Sequence, residues 1–333
     1  MSNSTLSPAQ PWIALAATED LPIASAEVET VANGVASVRT IALPYKPLDA
    51  GEEAQWAQAL AGAGGILLRS GFMTDSLLAQ LPDLKVIGVH GAGVDPVDVD
   101  ACRRRGVVVT NTPGANAVAV AELTIGLMLS LLRDIPGASD RVRRDNAWDL
   151  ARHTGGELQH RTLGLLGFGQ IGRRVAGIAN AFGMAIIAHD PGVGEDAMRE
   201  HQVRAVDFEG LCREADIVSL HAPALPQTQH IINESSIAAM KRGVYIINCA
   251  RGSLVNEEAL ALALQSGQAG GAALDVLNGE PPDPNSPLFA APNIILTPHM
   301  AGSTNECLRT IAAVAGADIV RVLRGEAPHH RVV

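Results

Sequence analysis

An arginine, a glutamate and a histidine occupy comparable places in the last third of the chain. Arg251 lies in "IINCARGSLVNEEAL", Glu280 in "GAALDVLNGEPP" and His299 in "NIILTPHMAGST", each a few residues past a short apolar run. Such runs read as strands, and polar groups just beyond the carboxyl ends of parallel strands stand where ligands bind. A guanidinium can fork onto a carboxylate and the neighbouring carbonyl. An imidazole can pass a proton to or from that carbonyl oxygen, and a carboxylate hydrogen-bonded to it favours its protonated form. The trio therefore suits interconversion of a 2-keto acid and a 2-hydroxy acid, with His299 as acid/base. Asp275 ends the run that Glu280 follows, and His221, in "SLHAPALPQT", follows a fourth.

That chemistry needs a hydride carrier, and "LGLLGFGQIGRR" has the pattern to hold one. Gly167, Gly169 and Gly172 have the Gly-x-Gly-x-x-Gly spacing. The first glycine permits a tight strand-to-helix turn, the second lets backbone approach a pyrophosphate, and the third allows close packing of helix and strand. The amides of Gln170 and Ile171, opening the helix, would point at the phosphates. Asp190 ends the next apolar run, eighteen residues after Gly172. A carboxylate there accepts hydrogen bonds from both ribose hydroxyls and repels a 2′-phosphate, so NAD is favoured over NADP.

The elements that must position these groups alternate regularly. "WIALAA", "ASVRTIAL", "GILLR", "KVIGV" and "VVVT" read as strands separated by helices. After the turn-rich "NTPGAN", an apolar helix Ala117–Leu132 and a polar stretch, "RVRRDNAWDLARHTGGELQHR", read as a hinge, the rhythm resumes. "RTLGLLG", "MAIIAHD", "ADIVSLH", "GVYIINCA", "GAALDV" and "NIILTP" continue the strand series. Ser303 with Glu306 three residues on reads as a capping box that opens a last helix, Ser303–Arg324, long enough to return to the first domain. The pattern is α/β, with parallel sheets covered by helices.

Composition agrees and narrows the functional classes. The 333 residues suffice for two domains, and with 47% apolar but only 3% aromatic residues the cores must be built from Ala, Val, Ile and Leu. A net charge of −10 argues against nucleic acid and anionic membrane surfaces as partners. Cys102, Cys212, Cys249 and Cys307 are scattered, suggesting neither a disulfide framework nor a metal site. "MSNSTLSPAQPW" has no signal-peptide pattern and reads as a short disordered lead, so a cytoplasmic location is expected. Ala117–Leu132, with Glu122 its only charge, is shorter than the ~20 residues that span a bilayer and reads as a core or interface helix.

Six motifs in order, "GVDPVDVDACRRRGVVVTNTPGANAVAVAEL", "LGLLGFGQIGRRVA", "SLHAPALPQT", "INCARGSLVNEEAL", "GAALDVLNGEPP" and "TPHMAGST", resemble the D-isomer-specific 2-hydroxyacid dehydrogenases, closest to the phosphoglycerate dehydrogenase branch. The resemblance implies two doubly wound parallel-sheet domains with a cleft between them. Residues 1–112 and 304–333 would form a flavodoxin-like substrate domain, and 113–303 a Rossmann NAD-binding domain. Arg251, Glu280 and His299 match the family's catalytic groups. Asp275 would lie near the nicotinamide amide, His221, Pro223 and Thr228 along the adenosine side, and Cys249 and Ala250 beside the nicotinamide. Cys249 reads as a packed spectator rather than a redox switch. Gly302 belongs with the cofactor-binding groups. Arg69 and Ser70, and the amides of Gly91 and Ala92, would bind substrate. A homodimer through Ala117–Leu132 and the polar segment after it is implied.

The chain departs from the phosphoglycerate branch where that branch has basic residues for the phosphate. Val89 and His90 stand at one such place, and Asp149 and Leu150, after Trp148, at another; Arg152 is the candidate substitute. Little chain follows the closing helix, so no regulatory amino-acid-binding domain is expected. A smaller 2-keto acid such as glyoxylate or hydroxypyruvate is favoured. D-3-phosphoglycerate is the alternative, and an NAD(H)-sensing corepressor-like binding protein is the alternative from another class.

Overall fold

The structure is a computed structural model that describes residues 11–46 and 48–333; the expected lead, Met1–Gln10, lies outside the described residues. Contacts divide the chain into two units, residues up to Asn116 with Ser303–Val333, and Ala117–Gly302.

The first unit alternates β1 (Trp12–Ala16), α1 (Ser25–Ala32), β2 (Ser37–Ile41), α2 (Ala50–Ala59), β3 (Ala63–Leu68), α3 (Asp75–Leu78), β4 (Val86–Val89), α4 (Val99–Arg105) and β5 (Val108–Thr110). The strands pair in parallel in the order β2-β1-β3-β4-β5, a doubly wound sheet. Every residue of β1, β3 and β4 is buried, as helices on both faces require.

The second unit opens with α5 (Ala117–Leu132) and α6 (Ile135–Asp145). It continues through β6 (Thr162–Leu166), α7 (Gln170–Ala181), β7 (Ala185–His189), α8 (Glu195–Arg199), β8 (Arg204–Ala205), α9 (Phe208–Glu214) and β9 (Ile217–Leu220). It closes with α10 (Glu234–Ala239), β10 (Val244–Asn248), α11 (Glu257–Ser266), β11 (Ala269–Leu274) and β12 (Ile294–Leu296). Its seven parallel strands lie in the order β12-β11-β10-β9-β6-β7-β8, and the strand order reverses between β6 and β9. The cores are aliphatic as expected; among the described residues Phe168 is the one aromatic in the set of largest fully buried side chains.

The last helix, α12 (Asn305–Leu323), belongs to the first unit and packs on α1, β3 and β4, with Ile319 fully buried. Its cap differs from the capping box expected at Ser303. Thr304 is the extended residue before the helix (φ −104°, ψ 152°), and its hydroxyl accepts from the Cys307 amide at 3.1 Å. The helix thus starts one residue later, and Glu306 falls one place short of the box position. Ser303 Oγ instead lies 3.4 Å from Arg69 Nη2.

Two other expectations change. The polar stretch read as a hinge lies within the second unit, and its first residues belong to α6, which has a proline in its first turn and ends at left-handed Asn146. This helix buries none of its residues, and its large apolar side chains, Ile135 and Val142, are exposed. The Leu150 and Arg152 side chains lie outside what the structure describes. α5 is chiefly a core helix: nine of its residues are buried, against α7 and the sheet, and Val118 is its exposed large apolar side chain. Among the described residues no helix is long and apolar enough to cross a membrane.

Candidate active site

The glycine turn sits at the switch point of the seven-stranded sheet. Gly167 follows β6 with φ +99°, and a Cβ there would lie 2.6 Å from the His221 carbonyl after β9. Gly169 is different: a Cβ there would meet nothing within 4 Å, so no protein neighbour demands glycine. What its missing side chain preserves is open space before α7, whose first amides have no intrahelical partner. An anionic diphosphate fits that space.

Asp190 is already a structural acceptor. One carboxylate oxygen takes the Phe168 amide at 2.7 Å and the other the Gly192 amide at 2.9 Å. Each oxygen keeps acceptor capacity for a ribose hydroxyl. His221 Nε2 lies 2.9 Å from Ser219 Oγ, while its Nδ1 is buried without a partner. Burial lowers the His221 pKa to about 4, leaving the ring neutral at pH 7. Thr228 Oγ1, expected along the adenosine side, accepts from the Leu225 amide at 2.8 Å and donates to the Pro223 carbonyl at 2.7 Å, closing its own loop. Residues and space together fit a dinucleotide.

The expected catalytic residues follow three adjacent strands, Arg251 after β10, Glu280 after β11 and His299 after β12. Glu280 Oε2 lies 2.7 Å from His299 Nδ1. The hydrogen bond from Nδ1–H and the carboxylate charge raise the His299 pKa above its ordinary value, against burial and the charge of Arg251. Burial pushes Glu280 up, but the His299 hydrogen bond, the Leu277 amide and the Arg251 charge outweigh it and hold the carboxyl below its usual range. Arg251 thus acts electrostatically on both members of the pair. The backbone agrees: a Cβ on Gly252 would collide with the Leu277 carbonyl, so the turn after Arg251 abuts the loop carrying Glu280.

Asp275 holds the histidine in place. It is 1% exposed, and its carboxylate accepts from Thr297 Oγ1 at 2.6 Å and the amides of Met300 and Ala301 at 2.9 and 2.8 Å. Its carbonyl accepts from the His299 amide at 2.8 Å. Wrapping the chain around one carboxylate leaves His299 at φ +50°, a conformation that costs a non-glycine residue about 1–3 kcal/mol. Gly302 ends the same loop. Cys249 is buried in the core and its thiol is pushed up to about 12 by burial, in keeping with a packed spectator; Ala250 donates its amide to Asn248 Oδ1.

Within the first unit, Arg69 and Ser70 follow β3, and both amides donate to the Ala16 carbonyl at 3.0 Å. This is the switch point of the five-stranded sheet, between β1 and β3. Arg69 makes no ion pair among the described residues, and its Nη1 and Ser70 Oγ are buried without partners. Burial pulls the Arg69 pKa below its ordinary value, with the Cys307 thiol opposing. The Gly91 amide donates to the Val89 carbonyl at 2.9 Å, so Gly91 does not offer the free N–H that was expected of it. Ala92 remains to do so. Its loop is pinned by Asn111 Nδ2 on the Ala92 carbonyl at 2.7 Å.

Sequence reasoning missed the residues that hold the others. Asn248, fully buried at the end of β10, donates to the Arg251 carbonyl at 2.9 Å, and the Thr297 hydroxyl secures Asp275. A polar residue closing an apolar run, as in "VYIIN", is the signal that could have found Asn248. Among the described residues no group of acids, histidines or cysteines is arranged to hold a metal.

Comparison with known proteins supplies a context for this geometry. The family described as "D-isomer specific 2-hydroxyacid dehydrogenase, NAD binding domain" matches residues 125–301. A D-3-phosphoglycerate dehydrogenase of Methanocaldococcus jannaschii is 44% identical over 263 residues, 78% of this chain and 50% of that protein. One from Rattus norvegicus is 39% identical over 263 residues, 79% and 49% of the two chains. The chain therefore spans about half the length of the curated relatives it matches. Among solved structures, a Thermus thermophilus protein superposes with a TM-score of 0.84 at 33% identity, covering 96% of this chain and 99% of that one. D-lactate dehydrogenase from Aquifex aeolicus, complexed with NAD and lactic acid, gives 0.82 at 28% identity, covering 96% and 98%.

Proposed function

The chain belongs to the family of D-isomer-specific 2-hydroxyacid dehydrogenases, and on that premise we propose that it interconverts a 2-keto acid and a D-2-hydroxy acid with NAD. The observation that carries this reading is the 2.7 Å contact between His299 and Glu280 under the charge of Arg251, at the carboxyl ends of three adjacent strands. NAD, when bound, supplies the hydride acceptor and donor. Arg251 holds the substrate carboxylate and its neighbouring oxygen. Glu280 takes the Nδ1–H of His299, which leaves Nε2 to face that oxygen. In reduction Nε2–H gives its proton to the oxygen; in oxidation neutral Nε2 removes it. Within the first unit, Arg69, Ser70 and the Ala92 amide are the groups suited to an anion.

The decisive experiment measures NADH oxidation with a panel of 2-keto acids. His299→Ala should lower kcat by about a hundredfold while NADH binding, read by fluorescence, stays nearly the same. Turnover unaffected by that change would remove His299 from proton transfer. The relatives' names favour a second reading, a phosphorylated substrate, which the same panel decides. We further assign the protein to a homodimer and to the cytoplasm. The exposed side chains of Ile135, Val142 and Trp148 on and after α6 support the first, and four buried cysteines, all free, support the second.

A further inference from the structure

Asp318 lies in α12, is 1% exposed, and has no part in the chemistry above. A buried carboxylate is costly unless its oxygens are hydrogen-bonded. Its partners come from the segment that follows the helix. Oδ1 accepts from the His329 amide at 2.7 Å, while Oδ2 accepts from the His330 amide at 2.9 Å and lies 2.9 Å from His330 Nδ1. Three residues further along α12, Arg321 Nε donates to the Ala327 carbonyl at 2.7 Å. Residues at that spacing share a helix face, so one side of α12 grips residues 327–330.

That grip lays the segment along the edge of the five-stranded sheet. β5 has a sheet partner, β4, on one side, and its other side presents alternate N–H and C=O groups. The segment takes them in antiparallel fashion, with Arg331 opposite Thr110. The Asn111 amide donates to the His330 carbonyl at 3.2 Å, the Val109 amide to the Val333 carbonyl at 3.1 Å, and the Val332 amide to the Val109 carbonyl at 2.8 Å.

The end of β5 held in this way holds a second turn in its place. The Thr112 amide donates to the Gly91 carbonyl at 2.9 Å, and Asn111 Nδ2 donates to the Ala92 carbonyl at 2.7 Å. A planar trans peptide points its N–H away from its C=O. The peptide of the Gly91 carbonyl carries the Ala92 N–H, and that of the Ala92 carbonyl carries the Gly93 N–H. The two hydrogen bonds therefore aim both N–H groups away from β5, and neither donates to an atom among the described residues. Successive free N–H groups of this kind suit an anion.

We propose that Asp318 is a positioning residue for the substrate anion: by clasping His329 and His330 it seats the segment on β5, and through Asn111 and Thr112 it sets the direction of the Ala92 and Gly93 amides. Its consequence for turnover rests on the dehydrogenase reading above.

The test follows hydrogen exchange and kinetics in the full chain. Asp318→Ala should speed exchange about tenfold or more in peptides covering residues 109–112 and 90–94 and leave the second unit unchanged. KM for an accepted 2-keto acid should rise about tenfold while kcat stays within about threefold, as expected when ground-state binding is lost, and NADH affinity should hold. Asp318→Asn, which keeps one acceptor oxygen, should recover part of both losses. Asn111→Ala breaks the last step alone, so it should raise KM and speed exchange over residues 90–94 while residues 327–333 stay as protected as in the wild type. Should Asp318→Ala fail to fold, Asp318→Asn and Asn111→Ala carry the comparison. Faster exchange confined to residues 327–333, an equal rise in all five strands, an unchanged KM, or no effect of Asn111→Ala on residues 90–94 overturns the inference and leaves the dehydrogenase reading standing. A wild-type protein that turns over no 2-keto acid overturns that reading, and exchange over residues 90–94 then decides the positioning by itself.

Discussion

At the scale of single residues, function rests on groups whose charge is set by their neighbours. On the proposed mechanism, reduction of a keto acid needs His299 protonated, and Glu280 raises its pKa above the ordinary 6.5. The reductive rate should therefore fall as pH rises through that raised value, and the oxidative rate should climb over the same interval. Glu280→Gln removes the largest raising cause, so the alkaline limb of reductive kcat/KM should move to lower pH; a limb that stays in place would show that Glu280 does not govern the imidazole. Stability follows the same linkage. His299, raised, contributes fully below about pH 6.5 and loses that contribution as pH rises through its folded value. Glu280, lowered, contributes fully above about pH 4.5 and loses it as pH falls through its folded value. The pair is thus worth most between these limits. Asp190 makes a separate case: Asp190→Ala should relax the preference for NADH over NADPH, measured as a ratio of kcat/KM values, since the charge that repels a 2′-phosphate is gone. An unaltered ratio would place the ribose elsewhere.

At the scale of the element, the turn from β6 into α7 separates two uses of glycine. Gly167→Ala meets both a positive φ and the His221 backbone, so it should lower the melting temperature markedly. Gly169→Ala meets no protein atom and should leave the melting temperature nearly unchanged while weakening NADH binding by about tenfold. Calorimetry and a fluorescence titration distinguish the two, and a Gly169 variant with full NADH affinity would deny the diphosphate that position. The loop after β12 works on the same principle in reverse. There a carboxylate, Asp275, gathers consecutive amides and bends the chain until His299 projects from it.

At the scale of the whole molecule, each unit has a sheet closed on both faces, and α6 is the helix without a buried side. An eleven-residue helix that buries none of its residues is marginal in water. Ile135, Val142 and Trp148 are exposed on and after it, Trp148 at 90%. A second copy of the chain would cover them, and light scattering should report a dimer at low micromolar concentration. Trp148→Asp should shift that equilibrium toward monomer; a monomeric wild-type protein would refute the assignment. The apolar composition of α5, which first suggested an interface, is instead spent mostly inside its own unit.

Much of this was legible in the sequence because parallel strands leave a local trace. Their buried runs, the spacing of Gly167, Gly169 and Gly172, and the polar residues just past Asn248, Leu274 and Leu296 are all properties of short segments. The sequence alone therefore determined the α/β class, the dinucleotide turn and the identity of the catalytic candidates. It could not determine which amide each carboxylate would meet. The Gly91 amide lost to Val89, the cap at Thr304 rather than Ser303, the clasp of Asp275 on the His299 loop and the hold of Asp318 on the segment beside β5 all depend on which strand lies next to which. Hydrogen-bond partners and desolvation are pairwise properties of groups distant in the chain, and only the folded backbone brings those pairs together.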